Sequence, residues 1–272
     1  MHNHLFHNRK IDQKVGWFFG CVCFGISSKW WRDEHNEHHL YTNTLVDGVG
    51  VSDPQMFEAV WVQDPKLIPF LWKPVVKFIL KFQKYYFVPI CVLLGPYGIR
   101  VNSLVSERRI GELMGIALHY AWLTVFVSTC FKTWKEGVLF VAIGLLGTGV
   151  LSIQLLVSHY SKPFEEKDVV NKNAGSWAER QVDAIVDISC PPFMDWFHGG
   201  LNLHSPHHLF PRMARCYYRE VHQDVVDMCK KHGVELEVRP WFDAVRATLK
   251  HLGNIEHDLI VMKDLGSDKK TN

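Results

Sequence analysis

Two stretches, "HNEHH" from His35 to His39 and "HSPHH" from His204 to His208, spell the same H-x-x-H-H pattern. On a helix, positions i, i+3 and i+4 share one face, so each stretch can aim two or three imidazoles at a common point. The chain has 16 His in 272 residues. At that content such a pattern should arise by chance about 0.05 times per chain of this length, so two copies call for a chemical reason. A third histidine-rich stretch opens the chain, "MHNHLFHN", in which His7 pairs with His2 at H-x(4)-H spacing or with His4 at i, i+3. Neutral imidazole suits Zn, Cu, Fe and Ni. A structural zinc site wants four ligands, often Cys, whereas these stretches offer roughly eight or nine His and no Cys, a number that suits two ions of higher coordination. Zinc has no redox chemistry, while a pair of non-haem irons can activate dioxygen, so an all-histidine cluster beside a membrane points to oxidation of a hydrophobic substrate. A zinc-dependent membrane hydrolase is the weaker rival, because Glu37 is the only evident box carboxylate to act as base. Surface histidines that respond to pH are the non-catalytic reading.

Such a cluster needs elements that bring distant residues to one place. The run "IGELMGIALHYAWLTVFVSTC", Ile110 to Cys130, is long enough to cross about 30 Å of hydrocarbon as a helix. A second apolar run near residues 136–158 follows the short turn "FKTWK". Two crossings return the chain to its starting side, so the boxes before and after the hairpin share a membrane face. His159, at the end of the second span, sits at the depth where they would converge. Arg108 and Arg109 before the hairpin and Lys162, Lys167 and Lys172 after it favour the cytosol for both flanks, although Lys132 and Lys135 in the turn dilute the contrast. Val15 to Ile26 is too short to span. The stretch Leu67 to Val92 is broken by Pro69, Pro74 and Pro89 and carries Lys73, Lys77, Lys81 and Lys84, which suits helices lying in the interface. Beyond box three, apolar and charged residues alternate at helical spacing, with Gly233 as a stop and Pro240 before the next start. The expected fold is an all-α membrane protein: a transmembrane helical hairpin, interfacial helices and a cytosolic helical cap carrying the histidine boxes. The expected tail is polar, residues 251–272.

Composition narrows the field. Net charge is +2 with His neutral, and no basic block stands out, which argues against nucleic acid. The seven Cys are odd in number and scattered, so they read as reduced. The polar opening "MHNHLFHNRKIDQK" lacks the basic-then-apolar pattern of a cleavable export signal. Among the other histidines, His119 falls mid-span, where it is either functional or a helix-packing residue. His198 in "FHGG" is a candidate to ligate or to orient a ligand. His222, His232, His251 and His257 are expected to be solvated in the cap. Arg212 and Arg215 could meet lipid phosphate or an acidic electron donor.

The three boxes, the last followed by Leu-Phe-Pro, resemble those of membrane fatty-acid desaturases. More narrowly, "SKWWRDEHNEHHLYTN", "KFQKYYFVPI", "DISCPPFMDWFHGGLN" and "HHLFPRMAR" look like the front-end group and its sphingolipid delta-8 branch, over nearly all of residues 1–250. The resemblance implies a multi-pass endoplasmic-reticulum protein with its metal site facing the cytosol. It implies two Fe ions, electrons from cytochrome b5, and a double bond introduced into a long acyl chain or sphingoid base as dioxygen is reduced to water. A lipid hydroxylase would use the same cage, and an inactive relative would keep its outline. The implied ligands are His2, His7, His35, His38, His39, His159, His204, His207 and His208. Three features depart from the family pattern. The first box lacks the usual Asp after its leading His, His204 stands where Gln is usual, and no His-Pro-Gly-Gly haem motif occurs. The cytochrome b5 domain and first hairpin would lie before residue 1, so the expectation is a fragment or a shortened member.

Overall fold

The computed structural model describes residues 6, 8–46, 50–56, 60–70, 78–166 and 176–268. The chain divides into two compact units. The first comprises Met1–Asn36, Pro89–Ile153 and Arg212–Ala214; the second comprises Glu37–Val88, Gln154–Pro211 and Arg215–Asn272.

In the first unit, α1 (Arg9–Trp17) starts at Asn8, whose side chain accepts from the N–H groups of Lys10 and Ile11. That is the usual way to satisfy a helix's first orphan donors. A π-helical turn, Phe18–Cys23, carries it on to Gly25 at φ +75°. There a Cβ would be strained by the backbone and would also stand 2.5 Å from the His119 ring. Helix α2 (Ser28–Tyr41) follows. Its first turn is anchored by buried acids: Glu112 Oε2 accepts from Lys29 N–H at 3.1 Å, and Ser27 Oγ lies between the Glu107 and Glu112 carboxylates. Negative charge at a helix N-terminus is favourable.

Next come α3 (Gln83–Leu93), with Pro89 inside it, and α4 (Gly95–Ser106). From Leu80 to Ser106 the chain bends by 67° at Leu94, and the bent pair is long and apolar enough to be a broken span or a re-entrant turn. The expected hairpin is α5 (Ile110–Cys130) and α6 (Trp134–Val157). Glu136 closes its turn by accepting from the Lys132 and Thr133 N–H groups, and Phe140 packs against Phe126 and Phe131. Only 17% of the most apolar stretch of each helix is buried. Ile110, Val125, Leu139 and Ile143 point outward at 60–75% exposure. A buried pair in a soluble bundle would hide those side chains; lipid would cover them. His119 proves to be a packing residue, with its Nδ1 3.1 Å from Val22 O, beside Trp122 Nε1 on the same carbonyl.

The second unit adds small strand ladders that helical periodicity does not announce. β1 (Thr44–Val46) pairs antiparallel with β2 (Gly50–Val51) and parallel with β3 (Glu165–Glu166). β4 (Asp187–Ser189) pairs parallel with β5 (Val238–Pro240), placing Asp187 opposite Val238. Between them lie α7 (Trp177–Asp183), α8 (Asp195–His198), α9 (His204–Leu209) and α10 (Tyr218–His232). α10 ends at left-handed Gly233, as expected. α11 begins after Pro240 and runs unbroken from Trp241 to Asp268 through the expected tail boundary at 250. The core packs Trp61, Phe87 and Tyr160 edge to face, with ring centroids 5.1–6.5 Å apart. A second cluster joins Val182, Val225 and Cys229 to Leu209, Val234 and Leu236. All seven cysteines are free thiols.

Candidate metal centre

α2 places His35, His38 and His39 on one face, and all three are buried while the intervening Asn36 and Glu37 are exposed. Exposure of Glu37 removes the one box carboxylate that a hydrolase reading had as a base. His35 falls in the first unit and His38 and His39 in the second. α9 does the same for box three, burying His204, His207 and His208. His159 leaves the end of α6 in a turn, with only 1% exposure.

Within the second unit these rings converge. The ligating nitrogens of His38, His159 and His208 all lie within 4.8 Å of one another. His204 Nε2 is 2.9 Å from His159 Nε2 and 3.2 Å from His208 Nε2, while His39 Nε2 is 3.2 Å from His207 Nε2. His2 and His7 lie outside the described residues, as do Asn3 and His4.

The opposite nitrogens explain why the Nε2 atoms face inward. His159 Nδ1 donates to Ala184 O at 3.1 Å, and His204 Nδ1 to Leu201 O at 3.2 Å. His208 Nδ1 meets Gln181 Oε1 at 2.8 Å, and His38 Nδ1 meets both Asp53 oxygens at 2.9 and 3.0 Å. Carbonyl and carboxylate oxygens only accept, so each of these four rings carries its proton on Nδ1 and, when neutral, a lone pair on Nε2. His207 Nδ1 pairs with Tyr218 OH at 3.2 Å. Burial pushes that phenol up to about 12, so it stays protonated. Asp53 is itself fixed, fully buried and accepting the N–H groups of Asn43 and Gln55.

Lone pairs facing each other at 2.9–3.2 Å repel unless a cation lies among them. A proton is a poor candidate. Burial is the largest cause holding His159 and His208 well below the ordinary imidazole range, each aided by the neighbouring histidines, and burial brings His204 down to about 4. A metal ion fits: two nitrogens about 2.1 Å from one ion and at right angles are themselves about 3.0 Å apart. Bonding the outer nitrogen to a carboxylate or carbonyl is also how metal-binding histidines are commonly oriented. The residues present therefore suit a transition metal held by neutral imidazoles, with no described carboxylate among the converging groups.

Sequence reasoning finds the converging histidines but not the groups that orient them. Asp53, Gln181 and Tyr218 carry no motif, and the Ala184 and Leu201 carbonyls carry no side-chain signal at all. His198 turns its Nδ1 to Gln154 Oε1 at 2.7 Å and lies beside Trp241, so it braces the end of α6 rather than reaching a box ring. Two expectations about the cap are corrected. His222 is not simply solvated but bonds Asp187 at 2.9 Å, and His251 reaches Gln63 O at 2.6 Å, because helix packing turns both rings inward. His232 is exposed as expected, and the side chain of His257 lies outside the described residues. Arg215 bonds Gly199 O at 3.0 Å.

Comparison with known proteins now bears on this geometry. The chain is 31% identical over 280 residues to an acyl-lipid (9-3)-desaturase of Borago officinalis, covering 93% of this chain and 58% of that protein. It is 30% identical over 265 residues to a delta(8)-fatty-acid desaturase of Helianthus annuus, covering 92% and 57%. It is 24% identical over 282 residues to a delta 8-(E)-sphingolipid desaturase of Komagataella phaffii, covering 97% and 51%. The chain thus spans little more than half the length of these relatives. No solved structure matches. The model for "Fatty acid desaturase" matches residues 1–240, a stretch that contains every histidine of the site, and the chain belongs to that family.

Proposed function

We propose that the protein is a membrane di-iron lipid desaturase. The observation that carries this reading is the inward convergence of Nε2 lone pairs from His38, His159, His204 and His208, together with the His39 and His207 Nε2 atoms 3.2 Å apart. In the proposed ligand set His35 adds to them through its place one turn earlier on α2, and His2 and His7 complete the cage. The relatives' names support a long acyl chain or a sphingoid base as substrate. The net change is loss of two hydrogens from adjacent methylenes as dioxygen, two electrons and two protons become two waters. Electrons come from cytochrome b5, and the site faces the cytosol at the endoplasmic reticulum.

Bound iron supplies the capacity to reduce dioxygen and to take hydrogen from an unactivated methylene. The protein's residues do the remainder. Asp53, Gln181, Tyr218 and the Ala184 and Leu201 carbonyls fix the rings of His38, His208, His207, His159 and His204, so that part of the cage is organised before a metal binds. Burial keeps the His159, His204 and His208 imidazoles neutral and water out. The outward apolar faces of α5 and α6 suit them to lipid.

Anaerobic purification followed by metal analysis tests the centre: about two irons per chain are expected, and none would reject it in favour of an inactive relative. Product mass spectrometry tests the reaction. Loss of two mass units from the lipid is expected, whereas a gain of one oxygen would identify a hydroxylase using the same cage.

A further inference from the structure

Box three sits on α9, only six residues long, and the residue that opens it, Leu203, offers no side-chain cap. So short a helix is unstable by itself, and its first N–H groups need an acceptor. That acceptor comes from a strand. Asp187, on β4 and fully buried, takes the Ser205 N–H at 2.7 Å on Oδ1 and the Ser205 hydroxyl at 2.6 Å on Oδ2. The same Oδ2 meets His222 Nε2 of α10 at 2.9 Å.

Three further bonds fix where Asp187 stands. Val186 N–H donates to Ser158 O, the residue before His159; Asp187 N–H donates to Glu237 O; Ile188 N–H donates to Asn202 O, two residues before His204. β4 is therefore the common support of the His159 turn and the box-three helix. The serine, aspartate and histidine are not a nucleophilic triad. The carboxylate lies between the other two, so the imidazole cannot take the serine proton, and Ser205 is fully buried.

We propose that Asp187, held from the other side by His222, is the positioning residue that sets α9 and so aims His204, His207 and His208 at the metals. This inference rests on the metal-centre reading above. Its test uses the full chain in nanodiscs loaded with Co(II), whose ligand-field absorption reports the coordination of the ion. Asp187→Asn removes the charge and leaves one acceptor oxygen where the Ser205 N–H, the Ser205 hydroxyl and His222 Nε2 now share two. It should weaken Co(II) binding about 10–100-fold in chelator competition and shift the absorption bands. Asp64→Asn is the control, because Asp64 is another buried carboxylate that accepts backbone N–H groups, from Lys66 and Phe164. It should lower thermal stability and leave affinity and bands at the wild-type values. A folded Asp187→Asn protein with wild-type affinity and bands would overturn the proposal. Should that variant fail to fold, Ser205→Ala and His222→Ala are read in the same way, and unchanged bands in both would overturn it. A wild-type chain that binds no Co(II) would instead reject the metal-centre reading itself.

Discussion

A ring nitrogen is a useful ligand only when its proton sits on the other nitrogen, and in this protein that choice is made by neighbours. Asp53 is the clearest case, since both of its oxygens lie on the His38 Nδ1 and so fix the tautomer that turns Nε2 inward. Asp53→Ala is expected to weaken metal binding about 10–100-fold, measured by chelator competition on protein whose folding is checked by circular dichroism. Acidity acts on the same atoms. In the metal-free protein His204 titrates at about 4, below its ordinary value of 6.5, because burial disfavours the cation. Between those values the unfolded chain binds more protons than the folded one, so the stability contributed by this group is complete above pH 6.5 and lost as pH falls through about 4. His159 and His208 shift in the same direction. Thermal unfolding of metal-free protein should therefore fall in temperature across that acid window, and a midpoint flat from pH 7 to pH 4 would contradict the assignment.

Elements carry the residues to their places, and glycines decide where two helices can close on each other. In α6 a Cβ on Gly149 would stand 2.1 Å from Val92 O and 2.6 Å from Val92 Cα, against backbone that cannot swing aside. Among the described residues, nothing outside the helix's own backbone lies within 4 Å of a Cβ on Gly144 or Gly147 of the same helix. Gly149→Ala is accordingly expected to destabilise by about 1–3 kcal/mol through overpacking. Gly144→Ala should be neutral or should stabilise by up to about 1 kcal/mol through helix propensity. Thermal melts of the detergent-solubilised variants compare the two. The hairpin, the helix stop at Gly233 and the helix start after Pro240 were legible from composition and periodicity, because these are local properties. The ladders of β1–β3 and of β4 with β5 were not: at two or three residues each they are too short to show alternation, and they form where segments far apart in sequence happen to meet.

Along the whole chain, two membrane-length helices with outward apolar faces separate box two from box three. With both crossing and the bent α3–α4 pair re-entering rather than spanning, the proposed topology puts box two, box three and the two chain ends on one side. In microsomes, epitope tags at the two chain ends should be digested by added protease, while an N-glycosylation acceptor on a flexible loop inserted between α5 and α6 should be modified. Glycosylation of either end would overturn the proposed topology. By itself the amino-acid order determined which histidines share a helix face, where the lipid-facing runs lie and which family the chain resembles, because each follows from spacing a few residues wide. It also singled out His159, whose position at the end of a span is a property of hydropathy. Only the tertiary structure decided that Asp53, Gln181, Tyr218 and two main-chain carbonyls hold the rings, that His119 packs against Val22, and that His222 turns inward to Asp187. Leu201 apart, those partners lie 11 to 97 residues from the groups they orient, and it is packing of the intervening chain, rather than any local pattern, that sets their distance.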